Sequence, residues 1–305
     1  MAALLPALAA SLQPVRTRRA VASPVGSASG AVTGRDARYD PDVDLAERGD
    51  TARRHPWETE RSRFFRSLIA RHVGDALPRR ILDVGAGDGW FAGELSQAMT
   101  DGCEIVCWDV NYRSADLDAT LPDGVVRTAD EPGGTFDLAL LLDVIEHIDD
   151  DGAFLDGSVL PHLTERSLVV VSVPAYQRLF SSHDDALAHH RRYSPRHLRD
   201  LLAPRFEVIA RGGLFASLLP LRAASVARER IAGPPESHGI GDWAAGDGVT
   251  RAVRAVLAAD AGAGLWLAHR GLATPGLSTW AVCRPRPGRA AATATGIATG
   301  TGTGR

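Results

Sequence analysis

The sequence predicts a doubly wound α/β fold: a mostly parallel, seven-stranded sheet with helices on both faces. Three observations predict it. Runs such as SLVVVSVP (167–174) are apolar throughout, which implies strands covered on both faces rather than half-solvated ones. These runs alternate with stretches of helical spacing, the βαβ pattern of a parallel sheet. A glycine cluster, LDVGAGDGW (82–90), stands where one such strand passes into a helix, and folds of this kind open their ligand crevice at the carboxyl ends of the strands.

Taken in order, WETERSRFFRSLIARHV (57–73) places apolar residues at 57, 64, 65, 68, 69 and 73, which predicts a helix. RRILDV is the first strand and GWFAGELSQAM the helix after it. CEIVCWDV is a second strand, SADLDATL a short helix, and GVVRTAD a third strand. FDLALLLDVIEHI opens as a continuous apolar strand, and GAFLDGSVLPHL predicts a helix. SLVVVSVP follows as a strand, and SPRHLRDLL as a helix capped by Ser194 with Pro195 in its first turn. FEVIARGG is a further strand. Residues 214–272 then read as a helical insertion, lying over the crevice as a lid or packing beside it, before the last strand, LSTWAVCR.

Composition bounds the function. The 305 residues carry 34 Lys+Arg and 37 Asp+Glu, a net charge of −3, with 45% hydrophobic and 23% charged residues. That suits one globular core and argues against a duplex nucleic-acid binder, which needs a basic excess. Three cysteines are too few for a disulfide framework, and Cys103 and Cys107 read as buried, reduced thiols of a cytoplasmic protein. The start, MAALLPALAASLQPVRTRR, places its charges after the apolar stretch, and Pro6 interrupts that stretch, so no exported leader is expected. Residues 1–38 and 285–305 lack large apolar residues and read as disordered, leaving 39–284 as the domain.

The glycine loop selects among cofactors. A dinucleotide fingerprint requires a small third residue for close helix–strand packing; counted from Gly85, that position is Trp90. No GK[ST] follows, which excludes a P-loop. LDVGAGDG instead resembles the first motif of class I S-adenosylmethionine (SAM)-dependent methyltransferases, a Rossmann-like family. Later segments match that family in order: Asp109 after the second strand, Asp130 after the third, the LDVIEH ending of the fourth, and SLVVVSVPAYQ as the fifth, together spanning about residues 78–212. Small-molecule and ubiquinone-type enzymes are the nearest in kind.

The resemblance implies that SAM is held by Asp83, Gly85, Ala86, Gly87 and Gly89 in the loop, by Asp109 and Val110 at the ribose, by Asp130 at the adenine amino group, and by Asp143 at the methionine end. Each acid also has a plainer reading: Asp83 as a brace of the loop, Asp109 and Asp130 as turn residues. Trp90 reads as helix–sheet core. Trp108 reads equally as core or as a flank of the adenine.

Two clusters lie beyond the fourth and fifth strands, on the acceptor side. Asp143, Glu146 and His147 resemble an acid-acid-His trio that ubiquinone-type O-methyltransferases place around a divalent metal. The same string occurs in many SAM enzymes that need no metal, and none is expected here. The second cluster, SSHDDALAHHRRYSPRHL (181–198), resembles the G-H-x-R-R-Y segment of bacterial small-molecule methyltransferases, with Ala188 at the glycine position. His189, His147 and Tyr193 are thus the candidate catalytic residues, and imidazole has the proton affinity of a base near neutral pH. His190, Arg191 and Arg192 are the candidate substrate contacts, since guanidinium groups bind carboxylate or phosphate; the plainer reading is that Arg192 and Tyr193 brace the loop. His55, Trp57 and Arg61 resemble a helix that closes the cofactor pocket, with capping and core packing as the alternative.

The expected reaction is methyl transfer by SN2 displacement to a small-molecule or lipid- or glycan-linked acceptor, preferably at oxygen. A SAM-binding but silent partner subunit is the alternative. Nucleic acid is not an expected partner. No run spans a bilayer, and the apolar then basic 214–230 segment leaves peripheral membrane contact open.

Overall fold

Strands apolar on both faces need a helical layer on each side, and the sheet has both. The structure is a computed structural model and describes residues 54–74, 77–99, 102–233, 243 and 245–290. The expectations for residues 1–38, for 291–305 and for the Pro/Gly-rich turn at 234–242 lie outside the described residues.

In chain order the elements are α1 (Pro56–Val73), β1 (Arg80–Val84), α2 (Trp90–Ser96), β2 (Glu104–Trp108), α3 (Ser114–Leu117), β3 (Val125–Thr128), β4 (Phe136–Leu142), α4 (Asp151–Phe154), β5 (Leu163–Pro174), α5 (Ser182–Ala186), α6 (Pro195–Leu202), β6 (Phe206–Leu214), α7 (Leu219–Ala232), α8 (Asp247–Ala268) and β7 (Ser278–Pro285). The strand order is β3-β2-β1-β4-β5-β7-β6. All pairs are parallel except those of β7, which runs antiparallel to β5 and β6. The order reverses between β1 and β4, which is where such sheets open a crevice.

Register aligns the strand ends that matter. Val84 pairs with Trp108 and Leu141, and Trp108 pairs with Thr128, so the residues after β1, β2, β3 and β4 emerge along one rim. Alternate side chains fill two cores. On one face Ile81, Ile105, Leu138, Leu140 and Val170 meet Phe64, Phe65 and Leu68 of α1 and Val253 and Leu257 of α8. On the other, Leu82, Val106, Ala139, Leu141 and Val171 meet Phe154, Tyr193, Leu198 and Leu202.

Three elements differ from the sequence reading. The helix expected over 152–163 starts as α4 under an Asp150 cap, widens into a π turn at Leu155–Val159 and tightens to a 3-10 turn at Leu160–His162. Pro161 has no N–H with which to continue a regular helix. A short helix, α5, stands inside the histidine-rich segment, opened by a Ser181–Asp184 capping box. The insertion is no simple lid: α8 joins α1 as part of one helical layer and also packs on β6. No described helix is long and apolar enough to cross a membrane.

Candidate active site

The glycine loop leaves β1 with Gly85, Gly87 and Gly89 at φ of 61°, 55° and 70°, a left-handed region open chiefly to glycine. Space matters as well at Gly85, where an added Cβ would meet Val144 Cγ2 at 3.0 Å. Asp109 follows β2. Its Oδ2 accepts the Gly87 N–H at 3.1 Å, and its Oδ1 accepts from the Asn111 N–H and Nδ2 at 2.9 and 3.1 Å. The carboxylate therefore ties the loop to the β2 end at the predicted ribose position. Asp83 is buried beneath the loop, and its carboxyl is pushed up to about 7; burial is the main cause, Arg61 opposes it, and Asp109 and Asp88 reinforce it. Ala86 and Val110 are half-buried on the same rim, and Asp130 is exposed two residues past β3.

Trp90 is not helix–sheet core. It is half-buried at the loop, with the Arg54 guanidinium 4.3 Å from its ring centroid and Arg54 also paired to Asp88. Trp108 does pack in the core, beside Val84 and Val106. Across the crevice, His55 caps α1 by accepting the Trp57 N–H at 3.0 Å, and burial holds its ring neutral, down to about 4. Arg61 reaches from α1 to Asp143, Nη2 to Oδ2 at 2.7 Å. Asp143 itself takes φ 63° at the end of β4. Tyr176, Ala188 and Phe215 also have positive φ, so among the described residues all four such non-glycine positions lie beyond carboxyl ends of β4, β5 and β6, where strain often accompanies function.

The second cluster converges on one buried carboxylate. Asp184 is fully buried on α5. Its Oδ1 accepts from His189 Nδ1 at 2.9 Å and Arg192 Nε at 2.7 Å. Its Oδ2 accepts from the Ser181 N–H at 3.0 Å and Arg222 Nη2 at 2.9 Å. Burial alone would raise this carboxyl, but the His189 hydrogen bond and the Arg192 charge outweigh it and hold it below the usual range. An ionised carboxylate only accepts, so the His189 proton sits on Nδ1, leaving Nε2 to the crevice. The His189 and His147 rings meet edge-on, their centroids 4.7 Å apart. Glu146 completes the group: one ligand atom from each of Glu146, His147 and His189 lies within 4.8 Å of the others. Glu146 is fully buried, and neither of its oxygens has a hydrogen-bond partner among the described residues. Burial, then repulsion from Asp143, pushes its carboxyl well above the usual range.

Three of the candidate residues are engaged within the protein itself. Tyr193 is fully buried, its hydroxyl 2.7 Å from Asp151 Oδ2 and 3.1 Å from Ile145 O, and burial raises it further from ionisation, which matches the plainer reading of a brace. Arg192 is committed to Asp184 and to Ala175 O. Arg191 donates to Ile148 O, Asp149 O and Asp151 Oδ2, so its fork holds the loop after Glu146 instead of a ligand. His190 stays half-buried at the rim, with its N–H on Glu146 O at 2.8 Å. The sequence reading singled out neither Asp184 nor Arg222. The Ser181-x-x-Asp184 capping spacing was the legible signal for the first; nothing in the sequence marked the second.

Residues 57–206 match a family model described as a methyltransferase domain. No curated protein sequence matches the chain. Among solved structures, human N-acetylserotonin methyltransferase, crystallised with SAM, is similar at 16% identity and TM-score 0.39, covering 49% of this chain and 47% of that one. The N-methyltransferase NodS from Bradyrhizobium japonicum, with S-adenosyl-l-homocysteine, gives 12%, TM-score 0.43, and 76% and 88% coverage. The plantazolicin methyltransferase BpumL gives 12%, TM-score 0.45, and 76% and 85%. The chain thus spans about half the length of the first of these structures.

Proposed function

Residues 57–206 match a methyltransferase domain, and on that premise we propose that the chain is a class I SAM-dependent enzyme that methylates a small-molecule or lipid- or glycan-linked acceptor, at oxygen, in the cytoplasm. The observation that carries this reading is the Asp184–His189 pair, buried beside His147 at the carboxyl ends of the strands, on the acceptor side of the glycine loop. SAM, when bound, supplies an electrophilic methyl group on a sulfonium centre. Asp109 would grip its ribose, and Asp83 and Asp143 its methionine end. Asp130, exposed beyond β3, would reach the adenine. The work left to the protein is alignment and removal of the acceptor proton. His189 Nε2 takes that proton, and Asp184 stabilises the imidazolium that results, while His147 and His190 line the entry.

One observation favours a second reading. An unpartnered, fully buried carboxylate is costly, and Glu146 with His147 and His189 presents one oxygen and two nitrogens within 4.8 Å. That donor set fits a divalent cation of the zinc or manganese kind, which would lower the proton affinity of an acceptor hydroxyl. In that case His189 acts as a ligand and not as the base.

The test has two parts. Thermal melts should rise with S-adenosyl-l-homocysteine and not with NAD; a ligand at 100 times its Kd adds about 2.7 kcal/mol. Labelled SAM with host extract should then yield a methylated product, absent in His189→Ala. The methyltransferase reading fails if NAD alone shifts the melt. Chelation separates the base from the cation: turnover that survives it supports the base.

A further inference from the structure

The proposed machinery ends at Asp184, yet that carboxylate is held from the far side by a residue of the insertion. Arg222 lies on α7 and is buried to 2% exposure. Its Nη2 lies 2.9 Å from Asp184 Oδ2, 2.7 Å from Ser181 Oγ and 3.2 Å from Leu179 O. Two donors on each carboxylate oxygen fill the four acceptor sites of Asp184. The rotation of that carboxylate is therefore set jointly by the pair on Oδ2 and the pair on Oδ1. Three of the four donors belong to the 181–192 segment itself; only Arg222 comes from another part of the chain.

We infer that Arg222 is a positioning residue for His189: by clamping Oδ2 it turns Asp184 so that Oδ1 faces the His189 Nδ1–H and keeps the proton on that nitrogen. The inference rests on the reading above that His189 works through Nε2. It holds whether Nε2 takes a proton or binds a cation, because both need the same tautomer. A burial cost supports it. A guanidinium removed from water beside a second buried guanidinium, Arg192, is disfavoured, and these two effects lower its proton affinity to about 10. Such a group is held in place only where its carboxylate partner is worth the cost.

The experiment reads the tautomer directly, by nitrogen-15 NMR of the imidazole rings in the full chain, with His189→Ala to assign the His189 signals. Wild type should show His189 with its proton on Nδ1. Arg222→Met should shift it toward a mixture of tautomers, and Arg222→Lys, which keeps a charged donor, should restore the wild-type pattern. The rate of labelled methyl incorporation should fall about 10–100-fold in Arg222→Met, the range seen when groups behind a working histidine are removed. Affinity for S-adenosyl-l-homocysteine should stay within about twofold, since Arg222 touches none of the loop (a tenfold change would be about 1.4 kcal/mol). A His189 tautomer unchanged in Arg222→Met overturns the inference. Should that variant not fold, Arg222→Gln takes its place under the same criterion. Full methyl transfer by His189→Ala, by contrast, would sink the functional reading and leave the Arg222 result standing.

Discussion

Ala188 supplies a sharp quantitative test, because a matched control exists within the same chain. Ala188 has φ 55° and Ala261, inside α8, lies in a regular helix; both are 6% exposed. Each is to be changed to glycine. At Ala261 two losses add: roughly 1 kcal/mol of helix propensity and about 0.8 kcal/mol for the buried methyl. Ala261→Gly should therefore cost about 2 kcal/mol. At Ala188 the methyl is lost as well, and glycine brings roughly 0.4–1 kcal/mol of unfolded-state entropy. Against these stands relief of a left-handed conformation that costs an L-residue about 1–2 kcal/mol. The terms cancel, so Ala188→Gly should change stability by no more than about 0.5 kcal/mol. Urea midpoints at constant slope measure both, and melts should show a loss of about 4–8 °C for Ala261→Gly against about 2 °C or less for Ala188→Gly. Equal losses at the two sites would mean that residue 188 is not left-handed and that the turn aiming His189 is drawn wrongly.

Asp109→Ala should weaken S-adenosyl-l-homocysteine at least about tenfold, or 1.4 kcal/mol, in a protein that still folds but melts lower, since the carboxylate also holds the Gly87 and Asn111 N–H groups; calorimetry checks it, and unaltered affinity removes Asp109 from the ribose. Tyr193→Phe should cost about 1.5–3 kcal/mol, the range for a hydrogen bond to a charged group, while methyl incorporation survives; an inactive but stable variant would restore Tyr193 to the chemistry. Asp83 makes a pH prediction. Its carboxyl titrates near 7 when folded against 3.8 ordinarily, so the unfolded chain releases this proton first, and stability falls as pH rises from about 4 to 7. Asp83→Asn should remove that slope, gaining relative to wild type at pH 8 but not at pH 4. A cationic cofactor beside Asp83 favours the ionised form, so cofactor affinity should rise over the same window and level off above it; a flat profile contradicts the placement.

Much of the framework was legible because period and punctuation are local. The alternation of apolar strands with helices gave the sheet, and LDVGAGDGW with Asp109 gave the cofactor loop, since glycine spacing states directly where the backbone must turn. Bracing by Arg192 and Tyr193 was legible only as the plainer of two readings, and the Arg191 contacts were not legible. A run of polar residues says which groups are near each other in sequence, but not which of them spend their donors on carbonyl oxygens at 145, 148, 149 and 175. Arg222 was hidden for a different reason. It pairs with Asp184 across 38 positions, and only the fold supplies that distance. Trp90 was misjudged because its position at the start of α2 was read as facing the sheet, while Arg54 draws the ring to the loop surface.

The insertion grips the rest of the molecule at two ion pairs: Arg222 on Asp184, and Arg254 of α8 on the buried Glu60 of α1. A chimera that exchanges residues 219–268 for the matching stretch of another enzyme, in order to retune its substrate, would import half of each pair. Unless the graft brings arginines at both places, Asp184 loses the clamp on its Oδ2 and Glu60 is left to Arg63 alone, so the hybrid would give up stability and the aim of His189 together.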